Sequence, residues 1–110
     1  MQRIVVLGGG ESGVGSAVLA KVKGFDVFLS DSGKIGASFK ETLERYNIEY
    51  EEGGHTQAKI LNADEVIKSP GIPESAPLIV TLRERGIHII SEIEFAGRYD
   101  TAKKICITGS

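Results

Sequence analysis

Gly8-Gly9-Gly10-Glu11-Ser12-Gly13 constrains the fold more than any other stretch of this chain, because it follows the apolar run Ile4-Val5-Val6-Leu7 directly and opens a helical pattern. The spacing is G-x-G-x-x-G, and its position between a strand and a helix carries more information than the letters. Each glycine has a mechanical purpose in such a unit. Gly8 permits the tight turn, Gly10 lets a phosphate approach the backbone, and Gly13 lets the helix press on the sheet. The N–H groups of Glu11, Ser12 and Gly13 would point at the ligand, where the positive end of a helix favours a diphosphate. A carboxylate beside a diphosphate repels it, so the Glu11 side chain is expected to face solvent.

The rest of the chain repeats the same alternation. Strands are predicted over Ile4–Leu7, Val27–Ser30, Ile48–Glu51, Glu65–Lys68, His88–Ile90 and Lys104–Ile107, with helical stretches between them at roughly 20-residue spacing. This order predicts an α/β fold: a Rossmann-like, doubly wound, mostly parallel five-stranded sheet with helices on both faces. Ile48-Glu49-Tyr50-Glu51 alternates apolar and acidic residues, which places it toward a sheet edge.

The helices carry readable ends. Ser12 is placed as the N-cap of the first, which is predicted to bury Val14, Ala17, Val18 and Val22 and to stop at Gly24. The second runs from Ala37 to Tyr46 on Phe39, Leu43 and Tyr46, and a short third covers Thr56 to Leu61. Pro77 suits a first helical turn, with Leu78, Ile79 and Leu82 facing inward and Gly86 ending that helix. Ser91 and Glu94 have capping-box spacing and open a last helix through Ile93, Ala96 and Tyr99.

A parallel sheet sends every loop that follows a strand to one edge, so Gly8 to Gly13, Asp31 to Gly33, Gly53 to His55, Ser69 to Pro73 and Ser91-Glu92 are expected to be neighbours. Asp31 lies about where a doubly wound nucleotide site places an acid for ribose or base hydrogen bonds. An Asx turn within Asp31-Ser32-Gly33 is the competing local explanation. In Ser69-Pro70-Gly71-Ile72-Pro73, two prolines and a central glycine predict a stiff loop of bare backbone, with Gly71 supplying a conformation that other residues resist. His55 and His88 receive no catalytic role, and Glu41, Glu44, Glu49, Glu51 and Glu52 read as a solvated acidic face.

Composition excludes several classes. With 13 Lys and Arg against 15 Asp and Glu in 110 residues and no basic block, nucleic-acid binding is disfavoured. The single cysteine, Cys106, cannot form a disulfide within the chain, and no His/Cys/Asp/Glu cluster has metal-ligand spacing. The opening apolar run is too short for a signal segment or a membrane span, which points to the cytoplasm and to no membrane partner.

Together, Ile4 to Gly13, Asp31-Ser32, Lys68 to Pro73, Gly86-Ile87, Ser91-Glu92-Ile93-Glu94-Phe95 and Ile105-Cys106-Ile107-Thr108-Gly109-Ser110 resemble the N-terminal domain of the Mur ligases, in the branch that adds D-glutamate. The resemblance spans the whole chain. It implies a domain over residues 1–102 that grips the UDP part of UDP-N-acetylmuramoyl-L-alanine. Residues 103–110 would be the first strand of a central ATPase domain, with Thr108, Gly109 and Ser110 starting its ATP-holding phosphate loop. In that family the chain continues into Asn-Gly-Lys, so this one is expected to be an inactive, monomeric fragment with no cofactor of its own. The complete enzyme would use ATP and Mg2+ to activate the substrate carboxylate as an acyl phosphate, which D-glutamate attacks to give an amide, ADP and phosphate.

By motif position the resemblance sets backbone groups of Glu11, Ser12 and Gly13 on the diphosphate and Asp31 and Ser32 on the uracil, with Ser69, Pro70 and Gly71 lining the same pocket. Gly33 stands where some members have an arginine against the uracil, and Lys34 replaces that contact only in part. Two other readings use the same glycine loop. They are an NAD-binding domain of a dehydrogenase, with Asp31 on a ribose, and a ligand-sensing regulatory domain that binds a dinucleotide.

Overall fold

A computed structural model describes residues 2–99 of the chain. The predicted strand Lys104–Ile107, Cys106 and the Thr108, Gly109 and Ser110 assignment lie outside the described residues. Five strands, β1 (Arg3–Leu7), β2 (Asp26–Asp31), β3 (Glu49–Glu52), β4 (Glu65–Lys68) and β5 (His88–Ser91), form one sheet in the order β3-β2-β1-β4-β5. Every pairing is parallel. Because β1 pairs with both β2 and β4, the strand order reverses there. Such a reversal opens a crevice at the carboxyl ends of the strands. The edge position of β3 is the one its alternating sequence predicted.

Successive residues of β1 feed opposite faces, as a pleated strand requires. Ile4 and Val6 pack with Val14, Ala17, Leu43 and Phe95, which come from α1 (Glu11–Val22), α2 (Ala37–Arg45) and α5 (Glu92–Gly97). Val5 and Leu7 pack with Ile60, Ile79 and Leu82, from α3 (Gln57–Ile60) and α4 (Pro77–Glu84). The sheet is therefore covered on both faces, as a doubly wound fold demands.

Helix ends follow the sequence closely. Gly24 (φ 94°), Asn47 (φ 57°) and Gly86 (φ 75°) each take the left-handed position after a helix. Each has the paired Schellman bonds. The N–H of Phe25 reaches the Ala20 carbonyl, that of Ile48 reaches Leu43, and that of Ile87 reaches Leu82. Pro77 sits in the first turn of α4, and the Ser91/Glu94 capping box is present in both directions, at 3.0 and 3.2 Å.

Several local expectations fail. Val22 is 66% exposed, Tyr46 39% and Ile93 76%, so none belongs to the inner stripe of its helix, and Ala96 is exposed as well. In α5 the inward residue is Phe95, set edge-on to Phe25 and Tyr99. The bidentate Arg98–Glu65 pair holds that helix to β4 at 2.8 and 2.6 Å. Ser12 does not cap α1: the helix starts at Glu11 with Gly10 as N-cap, and no side chain caps it. The Ser12 correction bears directly on the candidate site.

Candidate functional site

The cap determines what the first turn of α1 can bind. The first N–H groups of a helix have no internal partner, and a Ser or Asp cap normally satisfies one of them. Here Gly10 offers only backbone, and its carbonyl accepts from Val14 N at 2.9 Å. Among the described residues no group accepts from the amides of Glu11, Ser12 or Gly13. Three donors at the positive end of a twelve-residue helix are thus left for a ligand. The Glu11 side chain is exposed, which keeps its charge off that turn.

The glycines differ in what the protein itself demands of them. Gly8 has φ 119° and a Cβ there would lie 2.7 Å from Ser69 Cβ, while a Cβ on Gly13 would lie 1.9 Å from the Gly8 carbonyl oxygen. Both are required by the packing of loop on loop and helix on loop. Gly10 is unlike them: its extended angles suit any residue, and nothing lies within 4 Å of a Cβ built on it. The space in front of Gly10 is open, and no protein atom explains why the position should be bare.

Gly8, Gly9 and Gly10 line a cleft of about 200 Å³ together with Asp31, Ser32 and Ser69, and His55 and Ile72 complete it. Five of the predicted site residues, Gly8, Gly10, Asp31, Ser32 and Ser69, meet there. A second cleft, of about 720 Å³, has Ser12, Leu19, Lys68, Pro70, Ile90 and Glu92 among its walls. Gly10 borders the smaller cleft and Ser12 the larger, so the first turn of α1 stands between them. Glu11, Gly13 and Gly71 line neither cleft. The smaller one gathers the polar side chains of Asp31, Ser32, His55 and Ser69; at its α5 end the larger one is walled by Glu92, Ile93, Glu94 and Ala96.

Asp31 does what its competing explanation described, and more. Its Oδ1 accepts from Gly33 N at 2.8 Å in an Asx turn, and its Oδ2 accepts from Gly9 N at 2.7 Å. The carboxylate therefore ties the glycine loop to the end of β2. Removing it strands two backbone donors, and at about 1 kcal/mol or more for each bond to a charged group, Asp31→Ala is expected to cost roughly 2 kcal/mol of stability in chemical denaturation.

The loop after β4 is stiff for a reason the sequence reading missed. Gly71 is not among the residues with positive φ, so it supplies no unusual conformation. Lys68 fixes the loop instead: its ammonium donates to the Ile72 carbonyl at 2.7 Å and the Ser69 carbonyl at 3.3 Å, and pairs with Glu74 at 3.1 Å. Ile72 N closes a turn on the Ser69 carbonyl at 3.1 Å. The Lys68 and Arg83 bonds hold the Glu74 carboxyl below its ordinary range.

The supposed acidic face is also partly a framework for the site. Glu52 pairs with Lys40 and accepts from Ile35 N at 2.8 Å, and these contacts lower its carboxyl. Glu51 accepts from Thr56 N at 2.7 Å, Thr56 Oγ1 at 2.6 Å and Ser30 Oγ at 2.9 Å. Burial works to raise the Glu51 carboxyl, but those donors, with His55 nearby, bring it below the ordinary range. A carboxyl lowered by folding adds stability above its unfolded pKa and loses it as pH falls through the folded value. Wild type and Glu51→Gln should therefore differ in melting temperature at neutral pH and converge in acid. Glu92 behaves oppositely, burial raising its carboxyl beside α1.

Among the described residues no group of three or more His, Cys, Asp or Glu is arranged to hold a metal, and no helix is long and apolar enough to cross a membrane.

Comparison with known proteins bears on the family and the fold. The chain is 66% identical over 110 residues to the UDP-N-acetylmuramoylalanine–D-glutamate ligase of Bacteroides fragilis, covering all of this chain and 25% of that enzyme. It is 63% identical over 107 residues to the enzyme of the same name from Porphyromonas gingivalis, covering 97% of this chain and 24% of that one. The chain thus spans about a quarter of the length of these curated relatives. Among solved structures, a murein peptide ligase from Psychrobacter arcticus superposes with a TM-score of 0.80 at 25% identity, over 89% of this chain and 20% of that one. A pseudomurein peptide ligase type C from Methanothermus fervidus gives 0.75 at 28% identity, over 87% and 20%. The family model described as the MurD N-terminal domain matches residues 3–77, more than half of the sequence, and the chain belongs to that family.

Proposed function

We propose that this chain is the nucleotide-gripping domain of a cytoplasmic ligase that joins D-glutamate to UDP-N-acetylmuramoyl-L-alanine in peptidoglycan precursor synthesis. The observation that carries the reading is the uncapped first turn of α1, where the amides of Glu11, Ser12 and Gly13 lack partners and Gly10 fronts open space. A diphosphate would lie on that turn, accepting charge-assisted hydrogen bonds from the amides. The uridine would enter the smaller cleft, against Asp31 and Ser32, with Gly8 and the Ser69-Pro70-Gly71 backbone beside it. The sugar and its L-alanyl arm would run toward the larger cleft on the Ser12 side.

The chemistry belongs to the rest of the ligase. There ATP would phosphorylate the substrate carboxylate, releasing ADP. The D-glutamate amine would then displace phosphate from the acyl phosphate to form the amide. Mg2+ and ATP are assigned to the rest of the ligase, with Thr108, Gly109 and Ser110 proposed as the start of the ATP loop and residues 103–110 as the start of that next domain. In this reading residues 1–102 bind and orient; they transfer no group.

Titration of the chain with UDP-N-acetylmuramoyl-L-alanine, UDP and NAD tests this. The two uridine nucleotides should bind and NAD should not. NAD binding without UDP binding would instead support the dehydrogenase or regulatory reading. ATP hydrolysis by the purified 110-residue chain would contradict the division of labour.

A further inference from the structure

Ser30 is fully buried at the end of β2, and its hydroxyl meets Glu51 Oε2 at 2.9 Å, His55 Nδ1 at 2.7 Å and, less closely, the Gly54 carbonyl at 3.3 Å. Glu51 is held ionised by its donors, so it can only accept. A hydroxyl has one proton to give. The contact with the carboxylate uses it, so the 2.7 Å bond to the imidazole must take its proton from the ring. In its neutral form the His55 ring therefore carries hydrogen on Nδ1 and a lone pair on Nε2. His55 lines the smaller cleft with Gly8, Asp31, Ser32 and Ser69, and no described residue hydrogen-bonds its Nε2. Thr56, Glu51 and Ser30 thus form a relay that fixes both the tautomer and the orientation of a ring at the ligand edge. Ser30 has no access to solvent, so the trio is not a nucleophilic triad.

We infer that His55 determines nucleoside specificity: its Nε2 accepts a hydrogen bond from a neutral donor of the bound nucleoside, either the imide N–H of the base or the ribose 2′-hydroxyl, with Ser30 and Glu51 as positioning residues. This rests on the UDP-binding reading above. A cytosine base, which carries an acceptor where uracil carries its imide N–H, would lose the bond if the base is the donor.

Nitrogen-15 spectra of the imidazoles in the 110-residue chain test the inference without any substitution. Nδ1 should be protonated and Nε2 bare before UDP is added, and UDP should move the Nε2 resonance. His55→Asn keeps a donor toward Ser30 but lacks the Nε2 acceptor, so its UDP affinity should fall about tenfold, the scale of one hydrogen bond. His55→Gln, which returns an oxygen acceptor, should recover part of it; backbone amide spectra of both variants check that they fold. N3-methyl-UDP and 2′-deoxy-UDP separate the two donors: whichever analogue lacks the donor should bind wild type more weakly than UDP does and lose that disadvantage in His55→Asn. A protonated Nε2, an Nε2 unmoved by bound UDP, a folded His55→Asn with wild-type affinity, or both analogues binding as UDP does would each overturn the inference while leaving UDP binding intact. A wild-type chain that binds NAD and not UDP would remove the underlying reading, and this inference with it.

Discussion

Gly13→Ala is expected to unfold the chain at a much lower temperature and to abolish nucleotide binding. The added Cβ would lie 1.9 Å from the Gly8 carbonyl oxygen and 2.9 Å from its carbon. Both neighbours are backbone, so no flexible side chain can yield. Helix α1 would have to lift from the loop that β1 feeds, breaking the contacts of Val14 and Ala17 with the sheet. Overpacking costs about 1–3 kcal/mol where side chains can adjust, and this site belongs at or beyond the upper end. For a domain of this size that lowers the melting temperature by roughly 12–20 °C. A melting temperature within about 2 °C of wild type would show that the helix does not press on the loop.

Gly10→Asp should do the reverse, leaving the fold intact while removing the ligand. Aspartate is among the best N-caps and exceeds glycine by only a few tenths of a kcal/mol, and the position has no neighbour within 4 Å to obstruct it. The new carboxylate would accept from the second or third amide of the helix, those of Ser12 and Gly13, and would repel a diphosphate as well. Two charge-assisted hydrogen bonds at about 1.5–3 kcal/mol each correspond to at least about a 100-fold loss of UDP affinity. Thermal stability should be unchanged or slightly raised. Undiminished UDP binding by a folded Gly10→Asp would place the diphosphate elsewhere. The pair of variants tests for two kinds of glycine in one motif: Gly13, whose Cβ would strike the Gly8 carbonyl, and Gly10, which the protein itself leaves open.

What was legible in the sequence was local. The run Ile4 to Leu7 followed by the glycine loop determined the central strand and the first helix, and the glycines after helices, together with Pro77 and the Ser91/Glu94 box, marked ends that the structure shows. The neighbourhood of the loops after β1, β2, β3 and β4 followed from parallel topology alone. What was not legible depended on pairing between strands. Ser30, Glu51 and His55 are separated by 21 and 25 residues and meet because β2 and β3 run side by side in register. Along the chain, Glu51 is one acid among several; across the sheet, it faces the one buried serine of β2. The polar end of β2, the acidic end of β3 and Gly53-Gly54-His55 after it were the available signal. Lys68 was missed for a similar reason, since its role is visible only once the loop folds back over its ammonium. Ser12 was misplaced because side-chain preference points to a serine cap, whereas the backbone turns at Gly10 and leaves Ser12 inside the helix.

The most direct test of the central claim is an amide nitrogen–proton spectrum of the chain titrated with UDP. The resonances of Glu11, Ser12 and Gly13 should shift together and saturate with the nucleotide, and Gly10→Asp should abolish the response. Shifts that gather away from the first turn of α1, or those three amides responding to NAD but not to UDP, would contradict the account.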